Sequence, residues 1–394
     1  MNRNLWLMVA AQGLFLTNNV VFIAINGLVG LSLAPYSWMA TLPVMGYVVG
    51  GALATGPVAW TQSRWGRKVS FQLGLVVAFL SAVMATYAVM TTNFWLLVIA
   101  TVVAGYYSAN GQLYRFAAAE LAKPDYRERA VSMVLAGGLV GAVVGPNLAK
   151  WTQLLGDKPF AGAYAALAVI ALISMGVLAT VTFPPEPPKK RGVDGGRPLL
   201  QIMRQPVFIV STAAAALGYG VMNLLMAASP IAMQVCGHPF EDAALVLEWH
   251  VIGMFGPGFF TGHLIKRFGT MPIMAAGVVL NLLCIVIALS GVEVMNFLVA
   301  LFLVGVGWNF LFTAGTALSL KAYRPEEKDK AQGAINFCVF AVMMVSSFSS
   351  GALVTTQGWS ILNYGSLVPV GLTGIAVLWY VLRSRKPGHP GAAA

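Results

Sequence analysis

The sequence predicts an all-α polytopic membrane protein with twelve transmembrane helices in two pseudo-symmetric six-helix bundles. Three observations carry that prediction. Of 394 residues, 58% are hydrophobic and 9% charged, with a mean hydropathy of +0.77; a soluble domain carries about 25% charged residues. Twelve apolar runs reach the ~20 residues that a helix needs to cross a bilayer. Charged loop segments recur at a nearly constant offset: Arg64 and Arg267 are 203 residues apart, and Pro124 and Pro325 are 201 apart. The 42 Gly and 20 Pro also fit membrane helices, in which neighbouring helices satisfy the freed backbone groups.

The predicted spans are 5–30, 36–62, 70–91, 94–117, 131–152 and 160–183, then 206–231, 242–264, 270–291, 294–318, 333–357 and 362–382. The N-terminal "MNRNLWLMVAAQGLF" has the flank of a signal peptide, but its apolar run continues to Gly30 without an A-x-A cleavage pattern, so it reads as the first span. Lys and Arg set the orientation. Twenty-two of the 24 fall on one side, and only Lys150 and Lys158 fall on the other. Both termini and the central loop are therefore expected in the cytoplasm. The net charge of +11 is accounted for by these loops, so no nucleic-acid partner is expected. The segment "FPPEPPKKRGVDGGRPLLQ" reads as a linker. The expected organisation is a first bundle over 1–183, a linker over 184–205, a second bundle over 206–383 and a tail over 384–394.

The halves echo each other in their loops. "SRWGRKVSF" after span two pairs with "KRFGTMPIM" after span eight, and "KPDYRERA" after span four pairs with "RPEEKDKA" after span ten. Parallel six-span repeats point to a secondary transporter. The chain resembles the major facilitator superfamily over nearly its whole length. "SRWGRKVSF" is similar to that family's loop signature G-x-x-x-D-R-x-G-R-K. Arg64, Gly66, Arg67 and Lys68 match it; Ser63 stands in the acidic position and Ala59 in that of the leading glycine. The resemblance implies gating by Arg64 and Arg67; the plainer reading is that these bases only set topology.

No Walker loop, GxSxG, HExxH or CxxC pair is present, so neither an enzyme nor a prosthetic group is expected. Ionisable residues inside spans are functional candidates. Arg115, in "LYRFAAAE", is a gating candidate or an interfacial anchor. Glu248 lies near the outer end of span eight, as a solvated group or a mouth carboxylate. His250 and Met254 share a helix face at i and i+4, and Met222 and Met226 have the same spacing on span seven. Counted from the outer ends, Met226 and Met222 lie roughly 8 and 13 Å deep, and His250 and Met254 roughly 12 and 18 Å. Four soft, neutral ligands at one level suit Cu(I) better than a hard divalent cation. The alternative is gap-filling methionine beside a packed histidine.

These two pairs resemble the paired motifs of CcoA-type copper importers, bacterial inner-membrane facilitators. That resemblance implies that Met222, Met226, His250 and Met254 ligate copper. It also implies copper uptake for assembly of cbb3-type cytochrome oxidase, with a cytoplasmic copper chaperone as a downstream partner. Related facilitators carry organic substrates such as riboflavin, so that cargo is the main alternative, alongside a proton-coupled solute. A copper-binding receptor that does not transport is a further one. Cys236 and His238, in the outer loop "QVCGHPF", are candidates for collecting copper, or are incidental. Asn18, Asn19 and Tyr47 are expected to line the cavity from the first half. Cys284 and Cys338 are expected as packing, and Gly141-x-x-x-Gly145-Pro146 as a close helix contact. Direction, energy source, copper oxidation state at arrival, and His250 as ligand or proton acceptor stay open.

Overall fold

The computed structural model describes residues 3–123, 130, 133–134, 136–183, 196–324 and 327–384. The side chains of Ser63, Arg115, Phe116, Ala119, Glu120, Lys328, Asp329, Lys330 and Gln332 lie outside that description, as do residues 184–195 of the expected linker and 385–394 of the expected tail. Every described regular element is a helix, and eleven are long and apolar enough to span a membrane.

In the first half the helices are α1 (Arg3–Leu33), α2 (Ser37–Gln62), α3 (Arg64–Met90) and α4 (Phe94–Gly111). The fifth span is described as helix over Gly138–Thr152, here α5, and α6 (Ala161–Ala179) follows it. In the second half they are α7 (Pro206–Val235), α8 (Phe240–Phe268), α9 (Thr270–Ser290), α10 (Val294–Ser319), α11 (Gly333–Thr356) and α12 (Gly358–Ser384). Local chemistry explains several starts. Pro206 opens α7, where a missing N–H costs nothing. Asn93 caps α4 by accepting from the Leu96 N–H at 3.0 Å. Glu293 and Asn296 close a reciprocal capping box at the head of α10.

The internal repeat is visible in the backbone. Gly66, at a kink in the first turn of α3, has φ 78° and ψ 170°. Gly269, 203 residues on between α8 and α9, has φ 87° and ψ 169°. Both positions need the positive φ that glycine adopts readily. Close helix approaches repeat as well. An added Cβ on Gly50 or Gly105 would collide with the facing backbone of α4 or α2. Their counterparts are Gly253 and Gly305, where a Cβ would meet Phe302 O at 2.7 Å and His250 O at 2.6 Å. Small residues thus let α8 and α10 nearly touch backbones. Gly141 and Gly145 do the same for α5 against Leu16, Thr17 and Val20 of α1, as the close-contact reading expected.

Most Lys and Arg lie at one end of the bundle, called here the basic end. At the opposite end the first six helices press against the last six. Thr41 donates to Ser347 O at 2.6 Å and accepts from the Gly351 N–H at 3.0 Å. Asn147 on α5 donates to Glu248 on α8 at 3.0 Å. Lys150 pairs with Glu241 at 3.4 Å, both partly exposed. Phe160 meets Phe240 edge-on at 5.0 Å between centroids. This seam closes the end opposite the basic one.

At the basic end, Arg197, after the undescribed part of the linker, forks onto Glu327 at 2.9 and 2.7 Å. The Arg197 and Arg324 backbone N–H groups donate to the same carboxylate. These donors hold the Glu327 carboxyl well below the ordinary range. Its stabilising contribution is full above the ordinary carboxylate value of about 4.5, and shrinks as the pH falls from there toward the depressed folded-state value. Arg197→Ala should therefore lower the melting temperature in detergent at pH 7, with the gap to wild type narrowing in acid. Equal melting temperatures at pH 7 would remove the clasp from the account.

Candidate functional site

α7 and α8 run antiparallel, joined by the short loop from Cys236 to Pro239. Met226 and Met222 lie ~14 and ~20 Å along α7 from its outer end at Val235, and His250 and Met254 ~15 and ~21 Å along α8 from Phe240. Both pairs therefore share one level, deeper than the sequence suggested because α7 extends to Val235. All four side chains are buried, with exposures of 1, 5, 0 and 6% for Met222, Met226, His250 and Met254. The three methionines belong to one continuous buried cluster, which also holds Phe22 and Tyr47 of the first half.

His250 carries the most informative geometry. Its Nδ1 lies 2.7 Å from the Leu301 carbonyl oxygen on α10. A carbonyl only accepts, so Nδ1 is the protonated nitrogen and Nε2 of the neutral ring holds a free lone pair. Nε2 is buried and has no hydrogen-bond partner among the described residues. Donation from one ring nitrogen to a carbonyl, with the other left open, is the arrangement of metal-ligating histidines. Among the described residues, no three His, Cys, Asp or Glu side chains come together. Any ion held here would depend on His250 nitrogen and thioether sulfur.

Two asparagines support this set, and a reading of ionisable residues alone passes over both. Asn223, next to Met222, donates to Ser346 Oγ at 2.8 Å and Ser347 Oγ at 2.7 Å, fastening α7 to α11. Asn309 donates to Met254 O at 2.8 Å and accepts from Thr261 Oγ1 at 2.7 Å. The helix breaks between Phe255 and Gly258, around Gly256 and Pro257, and proline has no N–H to continue the ladder. Asn309 thus fixes the backbone of Met254 just where the helix bends. Asparagines inside apolar spans, one of them next to Met222, were the available signal.

The other candidates fall in separate places. Glu248 is half-buried and engaged by Asn147, so in this conformation it serves the seam. Cys236 is exposed at the end of α7. His238 places Nε2 2.7 Å from Val292 O, which leaves Nδ1 as its acceptor. Asn18 is buried with an unpartnered Oδ1, Asn19 is half-buried, and Tyr47 stacks on Phe22 at 5.2 Å. Arg64 is exposed at the basic end, and Arg67 donates to Gln62 Oε1 at 3.3 Å. Neighbouring Lys68 binds Ala179 O at 2.7 Å. The Arg115 side chain lies outside the described residues. Cys284 on α9 is buried and Cys338 on α11 half-buried.

The family model described as Major Facilitator Superfamily matches residues 5–283 and 250–394. The chain is 40% identical over 364 residues to the "Riboflavin transporter RfnT" of Brucella anthropi, covering 92% of each protein. It is 27% identical to the "Uncharacterized MFS-type transporter YddS" of Bacillus subtilis, over 88% of this chain and 84% of that one. Among solved structures, a D-xylose-proton symporter superposes with a TM-score of 0.75 at 15% identity, covering 95% of this chain and 96% of that one. An auto-inhibited POT family peptide transporter superposes with a TM-score of 0.69 at 11% identity, covering 100% and 99%. These structures bear on the fold alone. The copper-importer resemblance has no counterpart in these relatives, and the one at 40% identity is named for an organic cargo. With the family model matched from end to end and a relative at 40% identity, the chain belongs to the Major Facilitator Superfamily.

Proposed function

We propose that this transporter moves copper, as Cu(I) at the site, through the Met222, Met226, His250 and Met254 level by alternating access. The single observation that supports this cargo is the buried, unpartnered Nε2 of His250, with Nδ1 fixed by Leu301 O, on the same level as three buried thioethers. Soft sulfur and imidazole suit Cu(I), and neutral ligands release it more readily than thiolates. In this reading the basic end is cytoplasmic by the charge rule, and both termini lie there. The membrane is the bacterial inner membrane, and copper passes to a cytoplasmic chaperone on its way to oxidase assembly.

A second reading has its own support. The relative at 40% identity is named as a riboflavin transporter, which favours an organic cargo over copper. Proteoliposomes separate the readings. Radioactive copper, kept reduced with ascorbate, should accumulate above the level of empty liposomes. Accumulation of labelled riboflavin with copper at background would replace the copper reading by the organic one. Copper bound but not accumulated would make the protein a receptor.

A further inference from the structure

Among the described residues, the Tyr47 hydroxyl and two buried polar atoms of opposite kind stay unpaired beside the methionine level, and the copper set uses none of them. Trp308 on α10 is 6% exposed, and its Nε1 has no hydrogen-bond partner. Asn18 on α1 is 2% exposed, with an unpartnered Oδ1. Around them are flat surfaces. The Trp308 ring stacks on Phe312 at 5.3 Å and 14°. Tyr219 meets it edge-on at 5.3 Å, and Phe255 at 6.0 Å. In the other half, Phe22 and Tyr47 stack at 5.2 Å and 13°. Asn18 lies one turn from Phe22, on the same face of α1.

Phe22, Tyr47 and Trp308 are members of one buried cluster, and Tyr219, Phe255 and Phe312 pack against it. The layer thus brings aromatic faces from both halves together. Tyr219 is three residues from Met222, and Phe255 follows Met254, so the layer adjoins the ligand level on its basic side.

An indole N–H donates only, so it cannot ligate a cation. An aromatic layer built for packing alone would use phenylalanine there, because an unpaired donor inside a membrane protein is costly. We propose that this layer is a binding site for a planar heteroaromatic molecule whose edge carries a ring carbonyl beside a ring N–H. The carbonyl accepts from Trp308 Nε1, and the N–H donates to Asn18 Oδ1. The ring lies between the Phe22–Tyr47 pair and the Tyr219–Trp308–Phe255 group, entering as the halves part. This site rests on residues outside the copper set, so it stands or falls independently of the copper reading.

The probe is riboflavin, whose ring has such an edge and whose fluorescence reports stacking on aromatic side chains. Titrated with the full-length protein in detergent, riboflavin should be quenched saturably. Trp308→Phe keeps an aromatic face and removes the N–H; Asn18→Leu removes the acceptor. Each should weaken binding about tenfold, the effect of one lost buried hydrogen bond. Both variants are checked for monodispersity. Should either fail to fold, N3-methylriboflavin with the wild-type protein tests the same contact and should bind about tenfold more weakly than riboflavin. No saturable quenching by wild type would overturn the proposal. So would equal affinity of the folded variants, or of the methylated probe.

Discussion

Met222→Leu should reduce copper accumulation at least about tenfold, the scale on which even groups supporting a metal ligand act, while leaving the fold intact. Leucine keeps the volume and apolar character of the side chain, and such swaps usually cost under about 1.5 kcal/mol. Only the sulfur is lost. His250→Ala should abolish accumulation as completely, with a structural penalty as well. It removes the donor now 2.7 Å from Leu301 O, together with a ring buried in a tightly packed helix pair, and one such hydrogen bond alone is worth about 0.5–1.5 kcal/mol. The two variants therefore make a graded pair: both impaired in uptake, only the second less heat-stable. Wild-type copper uptake by Met222→Leu, at equal expression, would leave packing as the explanation of these methionines.

Gly305→Val should have the largest effect on stability. An added Cβ would sit 2.6 Å from His250 O and 3.0 Å from Met254 N, both backbone atoms that cannot swing aside. α8 must then shift away from α10. Overpacking of this kind typically costs about 1–3 kcal/mol, and here it also displaces His250 from Leu301 and Met254 from Asn309. Gly105→Val, at the matching place in the first half, should destabilise comparably, because its Cβ also meets facing backbone. Copper affinity separates the two, since the first half carries no ligand at that level. Melting temperature with copper titration provides the check. Unchanged affinity in Gly305→Val would mean that the α8–α10 approach does not position the ligands.

Much of the fold was legible in the sequence because lipid imposes length. The predicted spans overlap the observed helices throughout, and the disagreements have physical causes. The third helix begins at Arg64, with a kink at Gly66, rather than at residue 70, because a hydropathy window discounts Arg64, Arg67 and Lys68. The eighth helix runs to Phe268 for the same reason. It carries Lys266 and Arg267 in its last turn, and Arg267 is the repeat counterpart of Arg64.

The candidate site was legible only in part. Spacing on two helices brought out Met222, Met226, His250 and Met254, because i and i+4 positions leave a trace in sequence. The partners that orient them leave none. Leu301 contributes a backbone carbonyl, which any residue would supply. Asn147 meets Glu248 across 101 residues, a pairing no periodicity announces. Asn223 and Asn309 are neither charged nor soft, so they stand outside the usual candidates, although a buried amide inside an apolar span also needs a reason.

The seam at the end opposite the bases has a consequence for the balance between conformations. Its polar contacts are few: Thr41 with Ser347 and Gly351, Asn147 with Glu248, and a partly exposed Lys150–Glu241 pair. Hydrogen bonds of this kind contribute about 0.5–1.5 kcal/mol each, and an exposed ion pair about 0–1 kcal/mol. The polar part of the latch is therefore worth only a few kcal/mol, the rest of the seam being apolar packing such as Phe160 on Phe240. A bound solute that prefers one state a hundredfold shifts the ratio of states by about 2.7 kcal/mol, since each factor of ten is worth about 1.4 kcal/mol. That is comparable to the polar part of the latch, so a cargo that discriminates between the states by this factor offsets those contacts.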